Sequence, residues 1–95
     1  MRYLSTHTVP PGAIKPEQLQ QMARAAQADP KVHGYRSFCN LSQGKAICIM
    51  DAPDKQSLTA WFQKMQMPFD EILPLEFEGD HGTIQEVKPR ETLTV

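Results

Sequence analysis

The chain contains no GxGxxG, no GxxxxGK(S/T), no HExxH and no CxxC. The first two would wrap backbone amides around a dinucleotide or a triphosphate, the third would set two zinc ligands on a helix, and the fourth would make a redox or metal pair. It lacks a surplus of basic charge: 10 Lys and Arg face 11 Asp and Glu. Non-specific nucleic-acid binding, which needs a basic face to displace counterions, is therefore not expected. No apolar run approaches the roughly 18 residues of a membrane span. The opening MRYLSTHTV is too short and polar for a secretory leader. The expected compartment is the cytoplasm, where thiols stay reduced. Two cysteines, Cys39 and Cys48, are too few for a disulfide scaffold.

What is present is an alternation of strand and helix patterns. Arg2 to Val9 reads as a strand, with Tyr3, Ser5 and His7 on one side and Leu4, Thr6 and Thr8 on the other. Pro16 opens a helix, and Leu19, Met22, Ala23 and Ala26 form its apolar stripe. Asp29-Pro30 ends it. His33 to Leu41 and Lys45 to Asp51 read as a hairpin turning at Gly44. A second helix follows Asp54, with Leu58, Trp61, Phe62 and Met65 as its stripe, and stops before Pro68. Ile72 to Glu78 reads as a fourth strand.

The order β-α-β-β-α-β predicts an α+β, ferredoxin-like domain over residues 1–78. Its four-stranded antiparallel sheet has the order 4-1-3-2, with both helices on one face. Residues 79–95 are expected to be an extension with one short strand, Thr83 to Val87, and then a loose tail. The larger apolar set, Leu4, Phe38, Ile47 and Ile49, is expected against the helices. The smaller set, Ala46, Cys48 and Met50, would then point to the open face. With Leu41 opposite Ala46, Cys39 falls opposite Cys48, and His7 joins them. An open face of this kind calls for a cover, and a homodimer joining two such faces as a dimeric α+β barrel is the economical one.

The stretches YLSTHTVPPG (3–12), GKAICIMDAPD (44–54) and FDEILPLE (69–76) resemble, in that order, a family of small ferredoxin-like proteins that includes a nickel-binding branch. The resemblance covers about residues 1–78 and is most specific in the block GKxxCxx(D/E)APD. It implies that His7 stands at the family's first-strand histidine and Cys48 at its third-strand cysteine. The family often carries an acid two residues before that histidine, where this chain has Ser5. The nickel-binding branch tends to carry histidines one turn apart on the second helix, where this chain has Phe62 and Gln66.

The expected function is a small binding protein. A nickel ion, or copper or zinc, would be held by His7, Cys48 and Cys39, since sulfur and imidazole suit those metals. The competing account of the cysteines is that of small buried hydrophobes. A disulfide between them is less favoured, because opposed strand positions aim Cβ poorly. A second expectation is a cofactor-free isomerase or oxygenase using a dimer cavity, with His7 as base beside Tyr3, Tyr35 or Ser5. A third is a dimeric scaffold without ligand. No catalytic residue is assigned. His33, His81, Asp51, Asp54, Asp70 and Glu71 read as surface or helix-start residues, and Trp61 and Phe62 as helix core.

Overall fold

The computed structural model describes residues 1–87. Along them run β1 (Arg2–Thr8), α1 (Pro16–Ala28), β2 (His33–Asn40), β3 (Lys45–Asp51), α2 (Lys55–Lys64), β4 (Glu71–Pro74), β5 (Phe77–Asp80) and β6 (Thr83–Glu86). The first four strands make one antiparallel sheet in the order β2-β3-β1-β4, and the helices lie over one of its faces. This is the ferredoxin-like α+β architecture expected.

Local chemistry sets the ends of the elements. Pro16 is the first residue of α1, where its missing N–H costs no hydrogen bond, and the Lys15 N–H donates to Gln18 Oε1 at 2.7 Å. Beyond α1, Asp29 Oδ1 accepts from the N–H groups of Lys31 and Val32 at 2.8 and 3.0 Å and turns the chain toward β2. Asp54 caps α2 by accepting from the Ser57 N–H at 2.7 Å. Gly44 closes the β2–β3 turn with φ +73°, and a Cβ there would collide with the Val9 carbonyl oxygen. The Val9 N–H bonds to Gly44 O at 2.9 Å, so the turn is pinned to the end of β1.

The pleat has the opposite phase to the one expected. Tyr3, Ser5 and His7 are buried in β1, and across from them stand Met50, Cys48 and Ala46. Met50 and Tyr3 belong to the core cluster, and Cys48 packs against it. Phe38 (58% exposed) and Ile47 (42%) lie on the open face with Leu4. Ile49 is buried but shares their side, opposite Leu4 and Arg36. The physical reason is volume. α2 presents Leu58, Trp61 and Phe62, all buried, and a sheet face beneath such side chains has room for Ala, Ser and Cys rather than Ile and Phe.

The β2–β3 register also differs. Asn40 pairs with Lys45, Cys39 with Ala46 and Ser37 with Cys48. Ala46 pairs with Cys39 rather than with Leu41, which falls in the loop, and Gly44 closes that loop with its left-handed backbone. Cys39 therefore shares the helix side with Cys48 but sits diagonally from it. A bulge between Gly34 and Arg36 inserts Tyr35 into β2.

The fourth strand is shorter than expected. It stops at Pro74, which has no N–H to continue a ladder, and the Leu75 N–H makes a last bond to Arg2 O at 2.9 Å. β5 pairs with β6 through a two-residue turn, with His81 at φ 49° and Gly82 at φ 84°. This hairpin crosses the boundary expected at residue 79. The tail expected to be loose, 88–95, lies outside the described residues. Arg2 ties hairpin to sheet: it donates to Asp51 at 2.9 and 3.3 Å and to Glu78 at 2.8 Å, and its guanidinium lies 3.9 Å from the Tyr35 ring centroid.

The phase of the pleat is open to a direct stability comparison. Met50→Ala is expected to cost about 2–5 kcal/mol. Phe38→Ala is expected to cost about 0.5 kcal/mol or less in the single chain. Urea denaturation at a dilution where the protein is monomeric measures both, and the reverse ranking would restore the phase read from the sequence.

Candidate functional site

His7 stands near the end of β1, under α2, and is 2% exposed. Its Nδ1 lies 2.8 Å from the Pro68 carbonyl oxygen. A carbonyl only accepts, so Nδ1 carries the proton. In the neutral ring Nε2 is then an acceptor, and Ser5 Oγ, 2.8 Å away, donates to it. The Phe62 ring meets the imidazole edge-on, with centroids 4.8 Å apart. Burial pushes the His7 pKa down from its ordinary value of 6.5, against smaller upward pulls from the Pro68 carbonyl and Asp70.

Ser5, wholly buried, is two residues from His7 and directly opposite Cys48. Alternation and pairing therefore bring all three together on one side of the sheet. The Ser5 hydroxyl also lies 3.4 Å from the Cys48 carbonyl oxygen. From the other side, Ser37 Oγ donates to Cys48 Sγ at 3.7 Å. A polar string thus runs Ser37, Cys48, Ser5, His7, Pro68 across three strands. Burial raises the Cys48 pKa above its ordinary value, and Ser37 lowers it only in part, so the sulfur is a neutral thiol near pH 7. Cys39 is exposed on the edge strand, and burial raises its pKa too.

Beside Cys48 lies a concavity between α1 and the sheet. α1 stands off the sheet: only Ala26 is fully buried, Leu19 and Met22 are half-buried, and Ala23 is exposed. The resulting cleft measures about 480 Å³ and runs between Leu19, Met22 and Ala23 of α1, Cys48 and Met50 of β3, and Trp61 of α2. That volume lies in the range of small-molecule pockets.

The three residues expected to hold a metal are therefore not gathered on the open face. His7 and Cys48 come together beneath the helices with Ser5 between them, while Cys39 stays at the edge. The residues present do not fit a resident ion. Among the described residues no group of three or more His, Cys, Asp and Glu could hold one. Both ring nitrogens of His7 are already hydrogen-bonded, and every buried side-chain nitrogen and oxygen among the described residues has a partner, leaving no orphan donor aimed at a missing ligand. Nor is the expected enzyme constellation assembled. His7 does not line the cleft and Tyr3 is buried in the core, while Tyr35 lines the cleft's rim, exposed beside Arg2. Ser37 and Phe62 are the site residues that sequence reasoning missed. Ser5 carried a signal, since two polar residues at alternate positions of one buried strand face must satisfy each other.

The buried imidazole gives folding a pH dependence. The folded ring protonates less readily than the unfolded one. Between the ordinary value and the lower folded value, the unfolded chain takes up a proton that the folded chain does not. Stability is complete above that window and falls as pH drops through it. The melting temperature is expected to fall between about pH 7 and about pH 5. His7→Gln is expected to be less stable at pH 7 but to lose less over the same interval, which thermal melts across that range would measure.

No curated protein matches this chain. The crystal structure of SCO4226 from Streptomyces coelicolor A3(2) superposes with a TM-score of 0.68 at 20% identity, covering 83% of this chain and 100% of that one. This likeness supports the fold. A family described as nickel responsive protein SCO4226-like matches residues 3–75, which include β1, both helices, the hairpin and β4. The chain belongs to the SCO4226-like family of nickel-responsive proteins.

Proposed function

We propose that this chain is a small ligand-binding protein and that its ligand enters beneath the helices, beside Cys48, rather than on the open face of the sheet. The observation that carries this reading is the cleft of about 480 Å³ left where α1 stands off β3. A helix packed for stability alone would close onto the sheet, because every unfilled contact forfeits dispersion energy. Here Ala26 joins the core cluster and Met22 packs against it, yet Leu19 stays half-buried and Ala23 exposed, so the stripe closes over the sheet only in part. The open face has its own part in this reading. Phe38, Ile47 and Leu73 are exposed along it, and we assign it to contact with a second copy of the chain. A solution mass of one chain at micromolar concentration would remove that assignment.

A second reading is favoured by the family match. A nickel ion would use Cys48 Sγ and His7 Nε2, the two soft donors of the string. Cys48 would have to lose its proton and Ser5 would have to release Nε2, so uptake would weaken as pH falls. Two donors are fewer than a tightly held transition ion takes from protein. The cleft reading expects no saturable nickel uptake below millimolar concentration in reduced protein. Uptake that titrates in the micromolar range and is lost in both Cys48→Ser and His7→Gln would install the ion instead.

Access to the cleft can be read by thiol alkylation at about pH 8.5, where both thiols ionise in part. Cys39 is expected to react first. Cys48 is expected to react more slowly but well before global unfolding, and several-fold more slowly again in Ala23→Phe, which narrows the cleft from an exposed helix position. Reaction of Cys48 only upon unfolding would show the cleft closed and would overturn the reading.

A further inference from the structure

The charge around the cleft says what it can accept. Its lining contains no Asp, Glu, Lys or His. The one ionisable cation on its border is Arg36, and that guanidinium faces the other side of the sheet, 5.8 Å from the Phe38 ring centroid. Most of the wall is leucine, methionine, alanine and aromatic side chain. An ion placed there would surrender its hydration and meet no counter-charge, which is among the costliest transfers a protein site can ask for. A neutral apolar molecule has the opposite balance, gaining roughly 25 cal/mol for each Å² it removes from water.

Polar side chains also border the cleft: Gln20, Gln27 and Tyr35 at its rim, and Ser37 beside Cys48. Ser37 is exposed on β2, and within the protein its Oγ–H donates to the Cys48 sulfur at 3.7 Å. A thiol sulfur is a weak acceptor. A carbonyl or ether oxygen arriving in the cleft would take that proton at a better distance, and the thiol, kept neutral by its burial, offers no repulsion. From a lining that is mainly apolar and whose one charged residue, Arg36, turns its guanidinium toward Phe38, from the volume, and from the Ser37 hydroxyl beside Cys48, we infer that the cleft between α1 and β3 takes a neutral, mainly apolar molecule of about two rings with one hydrogen-bond acceptor placed at Ser37. This inference rests on the cleft being the binding site and names the chemistry it selects.

The test uses two dyes of one skeleton: neutral N-phenyl-1-naphthylamine, and 1-anilinonaphthalene-8-sulfonate, which adds an anionic group. Trp61 is the only tryptophan and lines the cleft, so energy transfer from it reports occupancy. The neutral dye is expected to quench Trp61 saturably, and the sulfonate to bind at least about tenfold more weakly. Ala23→Phe is expected to weaken the neutral dye several-fold. Phe38→Ala, on the open face, is expected to leave it unchanged. Equal or tighter binding of the sulfonate, with Ala23→Phe still weakening both dyes, would overturn the inference and spare the cleft. Absence of quenching by either dye would overturn the cleft reading as well. Binding lost in Phe38→Ala and kept in Ala23→Phe would place the dye on the open face and overturn both.

Discussion

Ser5 faces Cys48, and His7 faces Ala46, because β1 and β3 pair from Arg2–Asp51 to Thr8–Lys45 without a bulge. Each strand side chain alternates across the sheet, so one such pairing commits the whole of both strands. Everything that distinguishes the two faces follows from it. The helix side receives a tyrosine, a serine, a histidine, a cysteine and two small or flexible apolar residues. The solvent side receives Leu4, Ile47 and Phe38. Sliding either strand by one residue would exchange these sets and leave Trp61 and Phe62 packed against Ile and Leu.

The polar residues on the buried side are tolerated because they satisfy one another. An unpaired hydroxyl or imidazole under the helices would cost about 1–3 kcal/mol each. Here the Pro68 carbonyl holds Nδ1–H, Nε2 accepts the Ser5 hydroxyl, and Ser37 reaches the Cys48 sulfur. The Pro68 bond also fastens the segment between α2 and β4 to β1, so a residue that resembles a ligand by position serves here as an internal tie. One end of the string, Ser37 and Cys48, reaches the wall of the cleft beneath α1. Cys48, on β3, thus lies between the core and the cleft.

Much of the architecture was legible in the sequence. Pro16, Asp29-Pro30, Gly44 and Pro68 punctuate the chain where the elements change, and the handedness of the two crossovers leaves one strand order. The face was not legible, because alternation gives a period and not a sign. Both sides of β3 are apolar, and the larger side is the one the helices do not cover. Choosing between them required the size of Trp61 and Phe62, which arrive from another element. The β2–β3 register hinged on whether Leu41 belonged to the strand or to the loop. The end of β4 hinged on Pro74. At the site, the closeness of His7 and Cys48 followed from central paired strands, and Ser5 followed from its position between them. The edge-on contact of Phe62 with His7 and the stand-off of α1 depend on tertiary packing that no local pattern encodes.

The central claim is that His7 lies beneath α2, locked between Ser5 and Pro68. Proton NMR of the reduced protein tests it most directly, through nuclear Overhauser contacts from the His7 ring. The account predicts strong contacts to the Phe62 ring, whose centroid is 4.8 Å away, and none to Phe38 or Ile47. Contacts from His7 to Phe38 and Ile47, with none to Phe62, would put the imidazole on the open face and contradict it.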